Sequence, residues 1–555
     1  MPTIEIELEE LRKLVGDKLP TSIEELEQLI FNLKGEIESF ENGKLILKMS
    51  DGNRPELWSP EGLAREIKGI IGIERGAKEY FAKTSDLKVF VSTKLEKIRP
   101  FIACAAVKGI KLSDSTIRAL MQTQTKIDST LGRERTKASV GLYNLKLIKF
   151  PLKYTTTKPH ENAFVPLGYT EELPPHEILK NHPKGQQYGH ILKGLPEYPI
   201  LLDASNKVLS LPPIINSADL GKITEQTQDI LVEVTGTDYE TVQRILTIFC
   251  TALAERGGEI YSITIDYPYR KPDICPHLET SSLKLDIKEI QKTLGINLLP
   301  EDVIKLLQRA RYSAKVIEEL IEVKIPCYRK DIMHPIDLIE DIAIAYGLNN
   351  LSKIYPELPT RGKESELEKC SAKFREICIG LGAQEILSFI LTNKENLFAK
   401  MACPEEKIIE IENPMSLSFY ACRSKLLPSL LDFLAQNTTK PFPQKIFEIG
   451  DIVFPNSKSD MGYEIEKRLA LAISHSEVDF TEIKQNLEAL YRALGKSLML
   501  EECEHPSFIP GRCAKIIETM SKKEIGILGE IHPKVLQNWG LEMPVAAFEI
   551  KICGN

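Results

Sequence analysis

"YRKDIMHPIDLIEDIAIAYG", residues 328–347, places Asp331, Asp337, Glu340 and Asp341 within eleven positions of an otherwise apolar stretch. A helix starting near Pro335 would carry Asp337, Glu340 and Asp341 at i, i+3 and i+4, on one face. Leu338, Ile342 and Ala345, with Ile339 and Tyr346, form its buried side, and Gly347 supplies the C-cap. Acidic residues early in a helix complement its dipole, which is a purely structural use. Clustered carboxylates also repel one another unless a cation is shared. Oxygen ligands without His or Cys favour magnesium over zinc. Both readings stand at this level.

Upstream of this helix, "LDIKEIQKTLGINLLPEDVIKLLQRARYSAKVIEELIEVKIPCYRKD" predicts two helices followed by two short strands. Residues 271–355 thus form a compact module of winged-helix type. Residues 1–85 predict a small α+β domain. Its strand runs through Ile4, Ile6 and Leu8, a turn falls at Asn42-Gly43 before "KLILKM", and a helix opens at Ser59-Pro60. Residues 86–270 predict an α/β domain. One helix there is capped by Asp114 or Ser115, and a second, capped by Asp238, is stopped by Gly257-Gly258. The Pro- and His-bearing section 157–192 reads as a long ordered loop with a short helix. A hinge at Pro356, Glu357, Leu358 and Pro359 leads into residues 356–555, where strands interleave with amphipathic helices. That pattern predicts an antiparallel sheet with helices on one side.

A chain of 555 residues is too long for one core, and its 43% hydrophobic and 27% charged content is ordinary for a globular protein. The net charge of −8 argues against wholesale wrapping of nucleic acid but leaves local phosphate contacts open. Eleven cysteines stand singly with no C-x-x-C pair, the pattern of reduced thiols. No apolar run reaches the roughly 20 residues of a membrane span, and the start, "MPTIEIELEELRKLVG", is acidic. These features predict a cytoplasmic protein with no membrane association.

Generic catalytic signatures are missing: there is no G-x-S-x-G, Walker loop or H-E-x-x-H. "GILGEIHP" reads as a turn between strands. His160, His176, His182 and His190 share one loop without ligand spacing. "VTGTD" (234–238) ends a strand in two threonines flanking Gly236, where hydroxyls and free N–H groups could bind an oxygen-rich ligand or position a water. A capped turn explains it equally. "QTQTKIDSTLGRERTKASVGLYNL" carries Gln124, Arg133, Arg135 and Lys137, which suit phosphate or carboxylate recognition or a solvated surface.

Taken in order along the whole chain, these segments resemble the β subunit of phenylalanyl-tRNA synthetases of the archaeal and eukaryotic type. "NRPELWSPEGLAREIKG" resembles the family's N-terminal signature, with Glu56 where the family usually has Asp. "QTQTKIDSTLGRERTKASVGLYNL", "LSLPPIINS" and "VEVTGTD" resemble its tRNA-editing domain. "YRKDIMHPIDLIEDIAIAYG" resembles the module that follows. "ENPMSLSFYACRSKLLPSLLDFLAQN", "KIFEIGDIVF" and "GILGEIHPKVLQNWGLEMPVAAFEI" resemble a degenerate class II synthetase-like domain.

The resemblance implies an (αβ)₂ heterotetramer in which the α subunit holds ATP and phenylalanine and charges tRNA(Phe). The β class II-like domain would not activate an amino acid: "KIFEIGD" and "GILGEIHP" lack the arginines such sites place on ATP. Arg423 could meet a partner or be structural. The resemblance assigns Asp331, Asp337, Glu340 and Asp341 to a magnesium ion shared with α. It also implies hydrolysis of Tyr-tRNA(Phe) in a pocket of Gln124, Arg135, Asn216, Thr235, Gly236 and Thr237, with no dedicated general base and a water aided by a terminal-ribose hydroxyl. Asp128 stands where the family often has a basic or histidine residue, a departure that bears on tRNA-end contacts. Other readings are a non-catalytic tRNA-binding scaffold whose editing site has decayed, or a deacylase working without α.

Overall fold

The computed structural model describes residues 2–358 and 360–552, so Pro359 of the expected hinge lies outside the described residues. The chain divides into two compact units, Met1–Ile354 and Tyr355–Asn555.

The first unit contains three sheets. Strands Thr3–Glu7, Gly35–Glu41 and Lys44–Met49 form the first, with Lys44–Met49 central and Asn42-Gly43 turning at positive φ between the last two. The second has eleven strands. One end of it runs Glu259–Asp266, Phe101–Lys108, Ile230–Gly236 and Ala138–Asn144, paired antiparallel in that order, with Ala138–Asn144 at the edge. Ile230–Gly236 is buried at every position because the helix Tyr239–Glu255 packs against it. That helix is N-capped by Asp238 as its sequence indicates. The helix Asp114–Ser129 is capped instead by Ser113, whose Oγ accepts from Thr116 N. The section 157–192 holds two short helices, Pro175–Asn181 and Pro183–Tyr188, where one was expected.

The third sheet has strands Ser281–Asp286, Leu320–Ile325 and Ser313–Ile317, one more than the sequence suggested. Helices Ile287–Leu294, Pro300–Arg309 and Pro335–Tyr346 close a core over it. The last runs from Pro335 with Gly347 at its C-cap, as read from the sequence.

The segment 53–69 belongs to a buried charge network. The Arg54 Nε donates to Glu56 Oε1 at 2.8 Å, and its Nη2 pairs with Glu66 at 3.2 Å. Glu66 also accepts from the Tyr328 hydroxyl at 3.2 Å, and the Arg65 guanidinium lies 3.5 Å from the Tyr328 ring centroid. Gly69 has no room for a side chain, since a Cβ would fall 2.4 Å from Arg309 O. Arg54 Nη2, Glu56 Oε2 and Arg65 Nε have no hydrogen-bond partner, so ion pairing and the Arg65–Tyr328 stacking, not complete hydrogen bonding, hold this buried network together.

The second unit is built on a seven-stranded sheet, antiparallel except where Gln384–Glu385 pairs parallel with Gln444–Pro455. Helices cover both faces, contrary to the one-sided arrangement expected. Glu366–Gly380 and Phe480–Ala493 pack with Phe447, Leu471 and Phe548. Leu427–Gln436 and Pro533–Trp539 pack with Ala470, Ala472 and Ala547 on the other face. Along Tyr463–Ser474 the residues from 469 to 474 are all buried, so alternation could not reveal a single wet face. "GILGEI" lies inside the strand Glu524–Ile531, not at a turn. A Cβ at Gly526 would sit 2.0 Å from Glu549 O, so glycine there permits close strand approach.

Candidate functional site

A cavity of about 280 Å³ opens between the helix Asp114–Ser129, the strand Ala138–Asn144 and the segment 208–216. Its walls are largely apolar, with Ile117, Met121, Leu142, Ile214 and Ile223, and its polar lining includes Gln124, Arg135, Ser210, Asn216 and Glu233. Gln124, Arg135 and Asn216, three of the residues expected to form a pocket, line this cavity together.

Thr235, Gly236 and Thr237 do not line it. Thr235 is fully buried, its hydroxyl accepting from Arg99 Nε at 3.0 Å and its carbonyl from Arg99 Nη2 at 2.7 Å. Thr237 Oγ1 points to the carbonyls of Thr136 and Lys137 at 3.3 and 3.4 Å. Gly236 is required by close packing, because a Cβ there would lie 2.5 Å from Lys137 O. The "TGT" forms a strand-to-helix turn in which Thr235 and Gly236 are buried and Thr237 is exposed.

Arg135 is engaged by the protein itself. Its Nη1 donates to the carbonyls of Pro213 and Ile214 at 3.1 and 2.9 Å, and its Nε pairs with Asp128 at 2.9 Å. Its guanidinium also stacks 4.3 Å over Tyr188. Asp128 Oδ1 accepts from Val140 N at 3.2 Å, and burial pushes this carboxyl up to about 6 despite the facing arginine. Gln124 Nε2 donates to Val140 O at 2.6 Å, tying the helix to the strand beside the cavity.

The sequence reading missed Glu233. It is 3% exposed, sits among the lining residues, and its Oε2 accepts from the Tyr143 hydroxyl at 2.8 Å. The same hydroxyl lies 3.2 Å from Asn216 Oδ1. Glu233 Oε1 and the lining Ser210 Oγ are buried without a hydrogen-bond partner. Burial pushes the Glu233 carboxyl up to about 7. Gly141 keeps this corner open: a Cβ there would lie 2.5 Å from Tyr143 Oη and 2.8 Å from Glu233 Oε2. An unpartnered buried acceptor lining an apolar cavity is suited to a hydroxyl donor carried on an apolar group. A lone acid inside "ILVEVTG" was the available signal, because an ionisable group in a fully buried strand needs a reason.

The four carboxylates of 328–347 do not converge on one point. Asp331 and Asp341 both bond Arg329, Asp337 closes the capping box at the start of its helix, and Glu340 pairs with Lys34 at 2.7 Å. Among the described residues, the one trio with ligand atoms all within 4.8 Å of one another is Asp273, Cys275 and His277. Asp273 there already meets His277 Nε2 at 2.8 Å, the Tyr239 hydroxyl at 2.7 Å and Gln243 Nε2 at 2.9 Å. It acts as a hydrogen-bond hub joining its strand to the helix Tyr239–Glu255. The expected magnesium set therefore does not fit the arrangement this chain adopts.

In the second unit, a cavity of about 410 Å³ lies over the sheet, lined by Glu466, Arg468, Glu549 and Lys551. Arg468 pairs with Glu466 and Glu549 at 2.8 and 3.1 Å, and Lys551 with Glu466 at 2.5 Å. These cations are neutralised within the chain. Arg423 is 2% exposed and bonds Glu448, Ser388 and the Asp451 carbonyl, so its role is structural. Exposed apolar side chains gather nearby in sequence: Leu387, Phe389, Met415, Leu417 and Phe419, with the two phenylalanine rings 5.7 Å apart. Among the described residues, no helix is long and apolar enough to cross a membrane.

Two family models match the chain: the phenylalanyl tRNA synthetase beta chain CLM domain over residues 351–552, and the tRNA synthetase B5 domain over residues 283–348. The chain is 41% identical over 557 residues to the phenylalanine–tRNA ligase beta subunit of Pyrococcus abyssi, covering 99% of each. It is 40% identical over 556 residues to that of Methanocaldococcus jannaschii, covering 100% of each. A solved N-terminal fragment of the phenylalanyl-tRNA synthetase beta subunit from Pyrococcus horikoshii superposes with a TM-score of 0.60 at 38% identity, over 62% of this chain and 100% of the fragment.

Proposed function

The chain belongs to the phenylalanine–tRNA ligase beta-subunit family, and from that premise we propose that the cavity around Glu233 hydrolyses tyrosine mischarged onto tRNA(Phe). Activation of phenylalanine, with ATP and its magnesium, belongs to a separate α subunit. The single observation that carries the hydrolytic reading is a buried Glu233 carboxyl lining an apolar cavity, with its Oε1 lacking a geometric hydrogen-bond partner within the chain. A tyrosyl ring carries a hydroxyl that satisfies this oxygen, whereas phenylalanine leaves it desolvated and unpaired. A site built to bond a hydroxyl rejects the analogue lacking it strongly.

Arg135 and Asp128 shape the cavity, and Gln124 and Asn216 belong to its polar lining. Thr235, Gly236 and Thr237 support the strand behind it. Gln124, Arg135, Asn216, Thr235, Gly236 and Thr237 lack the chemistry of a general base, which fits attack by a positioned water assisted by a hydroxyl of the terminal ribose.

The α subunit would seat on the apolar surface of Leu387, Phe389, Met415, Leu417 and Phe419, forming the (αβ)₂ ligase. Exposed clusters of this kind mark association surfaces. The paired charges of Arg468, Lys551, Glu466 and Glu549 support a β class II-like half that leaves triphosphate binding to α.

Hydrolysis of Tyr-tRNA(Phe) by the co-purified assembly tests the reading, with Glu233→Ala and Asn216→Ala as variants and aminoacylation as the control. Loss of hydrolysis with charging intact is expected. Full hydrolysis in both variants would remove this cavity as the site, and no hydrolysis by the wild-type assembly would favour a scaffold whose editing site has decayed. Phe389→Glu is expected to abolish co-elution with α, and retention of α would remove that surface from consideration.

A further inference from the structure

Each carboxylate in residues 331–341 already has a partner within the chain, and at the centre of the group that partner is a cation. Arg329 is 4% exposed. Its Nε and Nη2 donate to the two oxygens of Asp331 at 2.9 and 2.8 Å, a bidentate grip. The same Nη2 donates to Asp341 Oδ2 at 2.9 Å. The Tyr312 hydroxyl donates to that oxygen as well, at 2.5 Å, while its ring lies 5.2 Å from the Arg329 guanidinium. Asp337 Oδ2 accepts from the backbone N–H groups of Met333 and His334, both at 2.8 Å. Glu340 meets Lys34 Nζ, which also pairs with Asp51 at 2.8 Å.

We infer that Arg329 is the resident cation of this acidic cluster, so that the module holds its shape and joins its partner without a divalent ion there. Both chemistry and geometry favour the guanidinium. A buried arginine keeps its charge at every working pH and matches a carboxylate with two parallel bonds. Magnesium demands a near-octahedral oxygen shell at about 2.0–2.1 Å. Asp331 and Asp341 could join such a shell only after releasing Arg329, which would leave a buried guanidinium uncompensated beside a divalent ion. Arg54 lines the same cavity as Arg329 and Asp341, adding a second positive charge where the ion would sit. Asp337, for its part, is held by the first turn of its own helix.

The test uses the assembled αβ protein in nucleotide-free buffer, with bound metal measured by mass spectrometry and melting followed with and without EDTA. No stoichiometric magnesium and no change in melting temperature with EDTA are expected. Arg329→Met is expected to lower the melting temperature by about 5 °C or more and to make it sensitive to millimolar magnesium, because only then are Asp331 and Asp341 released to bind the ion. Should that variant fail to fold, the wild-type measurements decide alone, and Asp337→Asn with Glu340→Gln provides a second arm that spares Arg329. That double variant is expected to keep its association with α. Stoichiometric magnesium in the wild-type protein, released by the double variant together with α, would overturn the inference.

Discussion

Replacing Glu233 by glutamine removes a charge while keeping the shape of the group lining the cavity. Burial moves this carboxyl from 4.5 to about 7, so ionisation in the folded protein carries a penalty of roughly 3 kcal/mol. The direction follows from linkage. The folded state binds the proton more tightly, so the contribution to stability is complete below about 4.5 and is lost as pH rises through about 7. Glu233→Gln is therefore expected to flatten this part of the stability profile, with the variant the more stable of the two at pH 8.

Hydrolysis should move the other way. Above about 7 the ionised Oε1 accepts a charge-assisted bond from a tyrosyl hydroxyl, worth roughly 1.5–3 kcal/mol against about 1 for a neutral amide. The variant is expected to hydrolyse Tyr-tRNA(Phe) about 10-fold more slowly at pH 8 and to lose the inflection near 7. The assay is single-turnover deacylation from pH 5.5 to 8.5, expressed relative to Phe-tRNA(Phe) so that the spontaneous pH dependence of ester hydrolysis cancels. An unchanged rate with the inflection intact would refute the assignment of Glu233 as the hydroxyl acceptor.

Other substitutions probe neighbouring features. Gly141→Ala pushes a methyl group against Tyr143 Oη and Glu233 Oε2 and is expected to abolish Tyr-tRNA hydrolysis while aminoacylation continues. Thr237→Val removes only two long bonds to backbone carbonyls, so deacylation should change by less than about 3-fold, equivalent to roughly 0.6 kcal/mol. Arg99→Met deprives Thr235 and Ser139 of buried donors. It is expected to destabilise the first unit by about 3 kcal/mol, read as a drop in its denaturation midpoint. Gly526→Ala cannot be accommodated 2.0 Å from Glu549 O and should lower soluble yield of the second unit.

Local signals were readable where one residue settles the conformation. Pro335 and Gly347 bounded their helix correctly, Asn42-Gly43 made its turn, and Asp238 capped its helix. Asp114 and Ser115 were the wrong choices beside Ser113 because three adjacent capping residues compete, and only tertiary packing decides among them. The strand Ser281–Asp286 escaped notice because "SSLKLD" exposes most of its side chains and has little apolar alternation. Pattern alone brought together neither Gln124 with Asn216 nor either of them with Glu233. These residues come from a helix, a strand end and a central strand, and long-range pairing sets their distances. Asp337, Glu340 and Asp341 share a helix face by spacing, but Lys34 and Tyr312, which partner Glu340 and Asp341, lie on other segments, and Arg329 precedes the helix.

Arg135 and Glu233 line one cavity from different segments of the chain. Arg135 pins the Pro213 and Ile214 carbonyls that roof the space, anchored through Asp128, whereas Glu233 belongs to the strand beneath. Asp128 is thus a buttress turned inward, holding Arg135 and the Val140 N–H beside the cavity. Shortening the 135 side chain would enlarge what the chamber admits without altering what Glu233 asks of a hydroxyl. Bulkier tyrosyl groups are then expected to enter a cavity whose hydroxyl acceptor is unchanged.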